Sequence, residues 1–188
     1  MSVDDEVVLL DPQGRAVGQM HKLAAHQRST HHLAFSVVLF DDDGAVLLQQ
    51  RAAAKYHFAG LWSNSCCSHP RPDEGLVDAG RRRVGEELGM PCGPLEVHAG
   101  FWYEAHDPVS GLTEHEYDVV LVGSFRATPD PDPNEASAVA VRDPGAVLAA
   151  CAAEPHRYTP WLPRVLQLAT GPAQPIVLDV GTHLTAER

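Results

Sequence analysis

Residues 73–89 read DEGLVDAGRRRVGEELG, and this segment determines the architecture expected for the whole chain. Apolar side chains recur at the spacing of one helix face, at Leu76, Ala79, Val84 and Leu88. The segment opens with acids, and Gly89 follows the last apolar residue as a C-terminal stop. The spacing predicts one strong helix over residues 73–88, whose polar side chains include Arg82, Arg83, Glu86 and Glu87.

Apolar and β-branched runs flank this helix on both sides in the sequence. They predict strands over residues 7–10, 32–40, 45–51, 95–104, 114–125 and 138–141, with a helical or irregular link over 22–26. Turns at 42–44 and 107–111 predict two hairpins, and the composition of 127–134 indicates a loop. Asp143-Pro144 and Thr159-Pro160 each place a capping side chain before a proline, which predicts two closing helices. Antiparallel strands around one strong helix are typical of an α+β sandwich.

The composition predicts one enzyme-sized domain. With 188 residues, 44 % hydrophobic content and 21 % charged residues, the chain can bury one core. We expect a single domain over 1–188 with its core at about 5–170, and we assign no structure to the tail over 171–188. The formal net charge of −11 argues against a nucleic-acid partner, because such proteins usually need a basic patch.

The N-terminus and the cysteines predict a cytoplasmic protein. Acids occupy residues 4–6, where a secretory signal would carry positive charge. No apolar run approaches the roughly 20 residues that a membrane span needs. Four cysteines, two of them adjacent, do not resemble the disulfide framework of a small secreted domain. We therefore expect a reducing setting, no membrane contact and no obligate protein partner.

Residues 62–70, WSNSCCSHP, combine two thiols, one imidazole and several small polar groups. A hydrophobic core has little use for such a run, whereas a catalytic loop beside a metal would use most of it. Cys66 is equally well explained as a small buried hydrophobe. Cys67 has the better functional case, because His69, if it binds a metal, would place the thiol beside a positive charge and let it exchange protons or attack as a thiolate.

Candidate metal ligands occur in three parts of the chain: His26 with His32, then His69, then Glu114 with Glu116. In an extended strand, residues two apart point to the same face, so the two glutamates project side by side. A pair of acids alone is usually an ordinary solvent-facing feature, but three imidazoles elsewhere strengthen the case for a site. The mixed set suits an octahedral Mg²⁺ or Mn²⁺, or Zn²⁺ in an expanded shell. A structural zinc site would more naturally use the adjacent cysteines.

The predicted helix also resembles, in a degenerate form, the phosphate-processing Nudix box, G-x5-E-x7-R-E-U-x-E-E-x-G-U, where U is an aliphatic residue. Seven positions match at fixed spacing: Glu74, Arg82, Val84, Glu86, Glu87, Gly89 and Met90. Ser68 stands for the first glycine of the box and Arg83 for its second glutamate. The loss of this glutamate weakens the case for diphosphate hydrolysis. A basic residue at position 83 favours binding of a diphosphate over its cleavage.

Beyond this box, the chain resembles type I isopentenyl diphosphate isomerase, a branch of the Nudix fold that isomerises its substrate. The resemblance spans most of the chain and rests on residues 24–26, 32–36, 62–70, 82–83, 87–89, 103, 107–108, 114–116 and 160–161. It implies a Nudix-like α/β/α sandwich with mixed and antiparallel β-sheets. The departures from the family pattern are Ser68, the pair Tyr117-Asp118, and a His26 to His32 interval that is one residue short.

The resemblance also implies a role for each candidate residue. Cys67 and Glu116 would be the acid/base pair. The first metal ion, Mn²⁺, Mg²⁺ or Zn²⁺, would be held by His26, His32, His69, Glu114 and Glu116. A second ion, Mg²⁺, would connect Glu87 to the substrate diphosphate. The diphosphate itself would be gripped by Lys22, Arg51, Lys55 and Arg83, and Ser68 could lend it a hydroxyl or an amide.

The activity implied by the resemblance is the interconversion of isopentenyl diphosphate and dimethylallyl diphosphate in isoprenoid biosynthesis. One alkene carbon gains a proton and another loses one through a carbocation-like state, so two acid/base groups on opposite faces are needed. Tyr103 would orient the Glu116 carboxyl, and the Trp161 indole would stabilise the cation by about 1–2 kcal/mol. Without such roles, both are ordinary core or rim aromatics. The helix that carries Trp161 would act as a lid that excludes water.

Two other classes of function stay open. A Nudix hydrolase acting on a nucleoside or prenyl diphosphate would explain the box, although Arg83 and the separate histidines speak against it. A non-catalytic metal or redox-sensing protein would use Cys66 and Cys67, but it leaves Glu114 and Glu116 unexplained.

Overall fold

The computed structural model describes residues 6–176 and 178–180, which excludes the last part of the predicted tail, 181–188. The strands are β1 (Glu6–Leu10), β2 (Ala16–His21), β3 (His32–Phe40), β4 (Val46–Arg51), β5 (Trp62–Ser63), β6 (Cys66–Ser68), β7 (Glu96–His106), β8 (Thr113–Ser124) and β9 (Ala136–Arg142). The helices are α1 (Lys22–Gln27), α2 (Leu76–Leu88), α3 (Pro144–Ala153) and α4 (Leu162–Ala169). All nine strands belong to one connected, mixed sheet.

Strand β3 is the centre of this sheet, as its nearly unbroken apolar sequence favours. One edge of β3 pairs in parallel with β8 along its full length, and His32 lies opposite Glu116. The other edge is shared by three shorter antiparallel partners. β1 pairs at His32, β6 pairs over residues 35–37, and β4 pairs at Phe40. Strands β6 and β8 therefore flank β3 on opposite sides.

The first predicted hairpin is only partly right. Both of its strands form, but β3 and β4 pair only at Phe40 and Val46, because β6 occupies the middle of the same edge. β4 pairs along its length with β9 instead. The second predicted hairpin is confirmed, since β7 and β8 pair antiparallel from the turn outward. The short strands β2, β5 and β6 are not predicted from the sequence.

The side chains of β3 alternate between two cores. Leu33, Phe35 and Val37 pack in one core with the apolar face of α2. Val38 packs in the other core with residues of α3 and α4, including Leu166. Helices thus cover both faces of the sheet, and the predicted α+β class with an α/β/α sandwich is confirmed.

The main helix begins later than its sequence suggests. Gly75 caps α2, so Asp73 and Glu74 lie before the helix and not in its first turn. The reason is that the Glu74 carboxylate accepts from the Arg71 amide at 2.9 Å, which fixes a separate turn there. The predicted C-terminus is confirmed, because Gly89 adopts a left-handed conformation with φ 62°. A Cβ at Gly89 would lie 2.2 Å from the Asp130 carbonyl oxygen, so this position requires glycine.

One of the two predicted closing helices starts as expected. Asp143 caps α3 by accepting from the Ala146 amide at 2.8 Å. The prediction for Thr159 is wrong, because α4 begins only at Leu162 and Trp161 occupies its N-terminal position. The Thr159 hydroxyl lies 3.1 Å from the Ser63 hydroxyl instead. Within the described ranges, none of the helices combines the length and apolar character needed to cross a membrane.

Candidate active site

One pocket gathers most of the residues with predicted roles. The four predicted catalytic residues all line it: Cys67, Tyr103, Glu116 and Trp161. The five predicted substrate-binding residues line it as well: Lys22, Arg51, Lys55, Ser68 and Arg83. His57 and Asp118, for which the sequence predicts no role, belong to the same lining. These residues come from distant parts of the sequence, so only the folded sheet brings them together.

Four side chains in the described part of the chain form a cluster suited to a metal ion. They are His26 from α1, His32 from the start of β3, His69 from the segment after β6, and Glu116 from β8. Their candidate ligand atoms all lie within 4.8 Å of one another. The Nε2 atoms of His69, His32 and His26 lie 3.0, 3.1 and 3.8 Å from Glu116 Oε1. The parallel pairing of His32 with Glu116 is what brings two of these donors side by side.

The donor atoms of the cluster fit a divalent cation. The Thr30 carbonyl accepts a hydrogen bond from His32 Nδ1 at 2.8 Å, which turns His32 Nε2 toward Glu116. His26 Nε2 is buried without a hydrogen-bond partner among the described residues. A buried polar atom without a partner is costly, and a cation bound in the cluster would supply one. Imidazole and carboxylate ligands suit several divalent metals, so the cluster can hold such an ion.

Burial and mutual contact change the protonation of the cluster. Burial lowers the pKa of His69 to about 3, although Glu116 partly opposes this. Burial also acts on His32, but the hydrogen bond and charge of Glu116 outweigh it and raise the pKa of His32. Burial alone would raise the pKa of Glu116, whereas the three histidines hold it well below its ordinary value. The pKa shifts of Glu116 and His69 favour the ionised carboxylate and the neutral imidazole, which are the forms that bind metals, whereas the shift of His32 favours its charged form.

Glu114 is not one of these four donors and lies beside them. Its Oε1 is 2.6 Å from His57 Nε2, and its Oε2 accepts from the Tyr103 hydroxyl at 2.7 Å. The Tyr103 oxygen also lies 2.5 Å from Glu116 Oε2, so the hydroxyl connects both carboxylates. Burial, with Glu114 as the next cause, raises the pKa of Tyr103 well above its ordinary value and keeps it a donor. No motif in the sequence singles out His57.

The Cys67 thiol is surrounded by polar side chains. Trp161 Nε1 donates to Cys67 Sγ at 3.2 Å, and Asn64 Oδ1 accepts the thiol proton at an Sγ to Oδ1 distance of 2.9 Å. Burial, reinforced by the charge of Asp118, raises the pKa of Cys67 to about 12. The thiol is therefore protonated at neutral pH, which supports proton exchange over attack as a thiolate.

Cys66 points away from this pocket. Successive strand residues face opposite sides of a sheet, and Cys66 is fully buried in the core that contains α2. All four cysteines are free. The interpretation of Cys66 as a packing residue is confirmed, and a redox pair of Cys66 with Cys67 has no support.

Asp118 is a buried acid beside the thiol. It lies two residues after Glu116 and so on the same face of β8, an alternation that could have revealed it in the sequence. Ser36 Oγ donates to Asp118 Oδ2 at 2.7 Å and lies 3.5 Å from Cys67 Sγ. Asp118 Oδ1 is buried without a hydrogen-bond partner in the described part of the chain. Burial first, and then the charge of Glu116, raises the pKa of Asp118 well above its ordinary value.

Two of the basic side chains predicted to bind the diphosphate form ion pairs with carboxylates of the protein. Glu135, another residue that the sequence does not single out, pairs with both Lys55 and Arg83. Arg83 also donates to Glu87 Oε1 at 2.6 Å, while Gln49 donates to Glu87 Oε2 at 2.8 Å. Glu87 is buried and does not itself line the pocket. Its connection to the pocket is its ion pair with Arg83, which does line the pocket.

The other two predicted cations lie near aromatic rings. The Arg51 guanidinium donates to the carbonyls of Phe58 and His57, and its central carbon lies 5.8 Å from the Trp161 ring centroid. Lys22 Nζ lies 5.7 Å from the Tyr56 ring centroid. Arg51 thus fixes the 57–58 segment as well as facing the pocket.

Solved structures share this fold. DR0079 from Deinococcus radiodurans is 20 % identical, aligns with a TM-score of 0.71, and the match covers 88 % of this chain and 99 % of that one. The MutT protein from Methanosarcina mazei Go1 is 16 % identical with a TM-score of 0.59, covering 73 % of this chain and 91 % of that one. At such low identity, these likenesses establish the fold alone.

Sequence relationships define the class of protein and then the family. Residues 30–165 match the model of the NUDIX domain, so the chain is a NUDIX-domain protein. Within that class, it belongs to the isopentenyl-diphosphate Delta-isomerase family. It is 49 % identical over 164 residues to that enzyme from Nocardia farcinica, covering 87 % of this chain and 93 % of the relative. The enzyme from Halorhodospira halophila is 47 % identical over 165 residues, covering 87 % and 94 %. The family predicted from the sequence is confirmed.

Proposed function

We propose that the protein interconverts isopentenyl diphosphate and dimethylallyl diphosphate. The observation that carries this proposal is that Cys67 and Glu116 line one pocket from strands on opposite edges of β3. Neighbouring strands lie about 4.8 Å apart, so the backbones of β6 and β8 are separated by about 10 Å. Cys67 lies opposite Ser36 and Glu116 lies opposite His32, so the two residues are also displaced along β3 by four residues.

The reaction needs one group that gives a proton and another that takes one. The terminal alkene carbon of isopentenyl diphosphate gains a proton, positive charge develops on the neighbouring tertiary carbon, and the next carbon loses a proton. Cys67 is a protonated thiol, whereas contacts with histidines favour the ionised form of Glu116. The two groups are in complementary states, and each exchanges its proton in the opposite sense when the reaction runs in reverse.

Aromatic side chains would stabilise the developing cation. Trp161 is only 3 % exposed, and its ring centroid lies 6.0 Å from that of Tyr103. An indole face beside a desolvated cation contributes about 1–2 kcal/mol. The buried ring would also keep water from quenching the cation. Tyr103 would position Glu116 through the hydrogen bond between them.

Charged residues would hold the diphosphate end of the substrate. We assign this binding to Lys22, Arg51, Lys55 and Arg83, with Ser68 contributing a hydroxyl or an amide. Glu87 would help to place a Mg²⁺ ion on the diphosphate. The first metal ion, Mn²⁺, Mg²⁺ or Zn²⁺, would be held by the histidine cluster with Glu114 and Glu116 and would supply positive charge that fixes the Glu116 carboxylate.

We also propose that the protein is cytoplasmic. This is supported by the four cysteines, all of which are free, as a reducing compartment favours. We further propose one catalytic domain that acts on a small molecule and needs no protein partner or nucleic acid.

Product analysis distinguishes this function from diphosphate hydrolysis. The protein would be incubated with isopentenyl diphosphate and Mg²⁺, with Mn²⁺ or Zn²⁺ added in parallel samples. We expect an acid-labile allylic diphosphate and no released phosphate. Release of phosphate or of the monophosphate, without an allylic product, would favour a hydrolase instead.

A further inference from the structure

His115 lies between Glu114 and Glu116 on β8, but its ring contacts a different part of the protein. Because strand residues alternate in direction, the two acids face the pocket and His115 faces the other side. His115 Nδ1 lies 3.2 Å from the Ser29 carbonyl oxygen, and His115 Nε2 lies 2.6 Å from His31 Nε2. The side chain therefore connects the strand of the acids to the segment over residues 28–31.

The segment over residues 28–31 joins two members of the metal cluster. It leaves α1 just after His26 and enters β3 at His32. Ser29 has a positive φ of 49°, a conformation that a residue with a side chain adopts only when its surroundings impose it. His115 binds the carbonyl of this strained residue and also binds His31. Both contacts hold the segment against β8.

The two contacts flank the atom that orients a metal ligand. Thr30 lies between Ser29 and His31, and its carbonyl accepts from His32 Nδ1 at 2.8 Å. The Thr30 amide in turn donates to the Ala25 carbonyl in α1 at 3.0 Å. A shift of this segment would therefore rotate His32 and change its distance from His26. Groups that orient a ligating imidazole in this way affect metal affinity.

The hydrogen bonds of His115 can all be satisfied in one tautomer. The Ser29 carbonyl can only accept, so His115 Nδ1 carries the proton, which faces both this carbonyl at 3.2 Å and the Ser29 hydroxyl oxygen at 3.4 Å. His115 Nε2 then accepts from His31 Nε2–H. The two rings meet edge to face, with centroids 3.8 Å apart and an interplanar angle of 87°. The Trp102 ring lies 5.1 Å from the His31 ring, and His31 and His115 are both half-buried.

We propose that His115 is a positioning residue for the metal centre. It connects the strand carrying Glu116 to the segment that sets the separation and orientation of His26 and His32. This inference rests on the proposed metal-binding function, but binding of a metal alone tests it without any substrate. Failure of the isomerase assay and failure of this proposal can therefore be told apart.

The test measures the affinity of metal-free protein for Mn²⁺ by calorimetric titration. His115→Leu removes both hydrogen bonds and should weaken Mn²⁺ binding by about 10- to 100-fold. His115→Asn keeps an amide donor near the position of Nδ1, so it should restore most of the affinity. His106→Leu is the matched control, because His106 is also a strand histidine of the same hairpin and contacts Thr113 instead of the 28–31 segment.

A purely structural role would lower the unfolding midpoint of the metal-free protein, which is therefore measured for each variant. His31→Phe removes the partner imidazole but keeps a ring beside Trp102, and it tests the same contact if His115→Leu does not fold. We expect His31→Phe to weaken Mn²⁺ binding in a folded protein. Wild-type affinity in folded His115→Leu or His31→Phe, or an equal loss in His106→Leu, would overturn the proposal.

Discussion

The Trp161 indole donates its N–H to the Cys67 sulfur at 3.2 Å. Trp161 is the N-cap residue of α4, so this hydrogen bond connects the start of the last described helix to the Cys67 thiol. The edge-to-face contact of Trp161 with Phe58, with centroids 5.2 Å apart, fixes the ring from another side. Trp161 therefore contacts the Cys67 thiol and also lines the pocket.

Replacing this indole should slow the chemical step. Trp161→Phe keeps an aromatic ring but removes the N–H donor and weakens the attraction to a cation. Together these losses amount to about 1.4 kcal/mol, which corresponds to about a tenfold fall in kcat. KM for isopentenyl diphosphate should change little. Steady-state kinetics of the variant checks this, and an unchanged kcat would show that neither contact matters.

The hydroxyl of Tyr103 should matter more than its ring. Tyr103→Phe leaves the buried carboxylates of Glu114 and Glu116 without their shared donor. Loss of a donor to a reacting group typically reduces kcat by about 100-fold. We expect a loss of this size with the fold intact, because the ring still packs beside Phe101. Circular dichroism checks the fold, and a variant with wild-type kcat would contradict the assigned role.

Much of the fold can be predicted because it depends on local patterns. The apolar run of β3, the turn between β7 and β8, and Gly89 at the end of α2 each carry their own signal in the sequence. The pairing of β4 with β9 and the insertion of β6 beside β3 carry no such signal. These contacts depend on which strands compete for one edge, and only the folded chain decides that.

The site divides in the same way. Recognisable motifs contain Cys67, Glu116 and the clustered histidines, so the sequence alone identifies them as candidate site residues. Asp118 could have been found from its alternation with Glu116 on β8, but His57 has no motif, and its importance comes from burial beside Glu114. Burial of an isolated polar residue is a property of the tertiary structure. It cannot be inferred from a single sequence when the neighbours in space are distant along the chain.

Removing the metal should destabilise the protein. The cluster leaves His26 Nε2 without a partner in the described part of the chain, and metal binding restores one only in the folded state. Mn²⁺ at 100 times its Kd should raise the free energy of unfolding by about 2.7 kcal/mol over the chelated protein. His69→Ala should lose most of this gain, whereas His106→Ala should keep it. Urea unfolding with and without Mn²⁺ measures the difference, and equal stabilisation of both variants would argue against the cluster.

The ion pair of Glu74 with Arg82 should make the free energy of unfolding depend on pH in the acidic range. Burial would raise the pKa of Glu74, but hydrogen bonds from Arg82 at 2.6 and 2.7 Å and from the Arg71 amide outweigh it and lower the pKa. Stability from this pair is therefore complete above the ordinary value of 4.5 and is lost as the pH falls through the lower folded-state value.

Glu74→Gln tests this directly. The variant should be less stable than wild type at pH 7 by about 1–2 kcal/mol, because an uncharged amide replaces the paired carboxylate. The gap should narrow as the pH falls below 4.5 and the wild-type carboxylate takes up a proton at its lowered pKa. Urea unfolding across pH 3 to 7 measures both effects. A gap that stays constant across this range would contradict the pKa assignment.

We propose that Cys67 and Glu116 exchange protons with the substrate from opposite sides of one pocket. To test this, isopentenyl diphosphate is incubated with the protein and a divalent metal in heavy water. Nuclear magnetic resonance then follows deuterium at the carbon that gains a proton and at the carbon that loses one. We predict deuterium in the dimethylallyl product formed by the wild type, and neither product nor exchange in folded Cys67→Ala or Glu116→Gln. Wild-type exchange and turnover in either variant would show that the replaced residue is not one of the two acid/base groups.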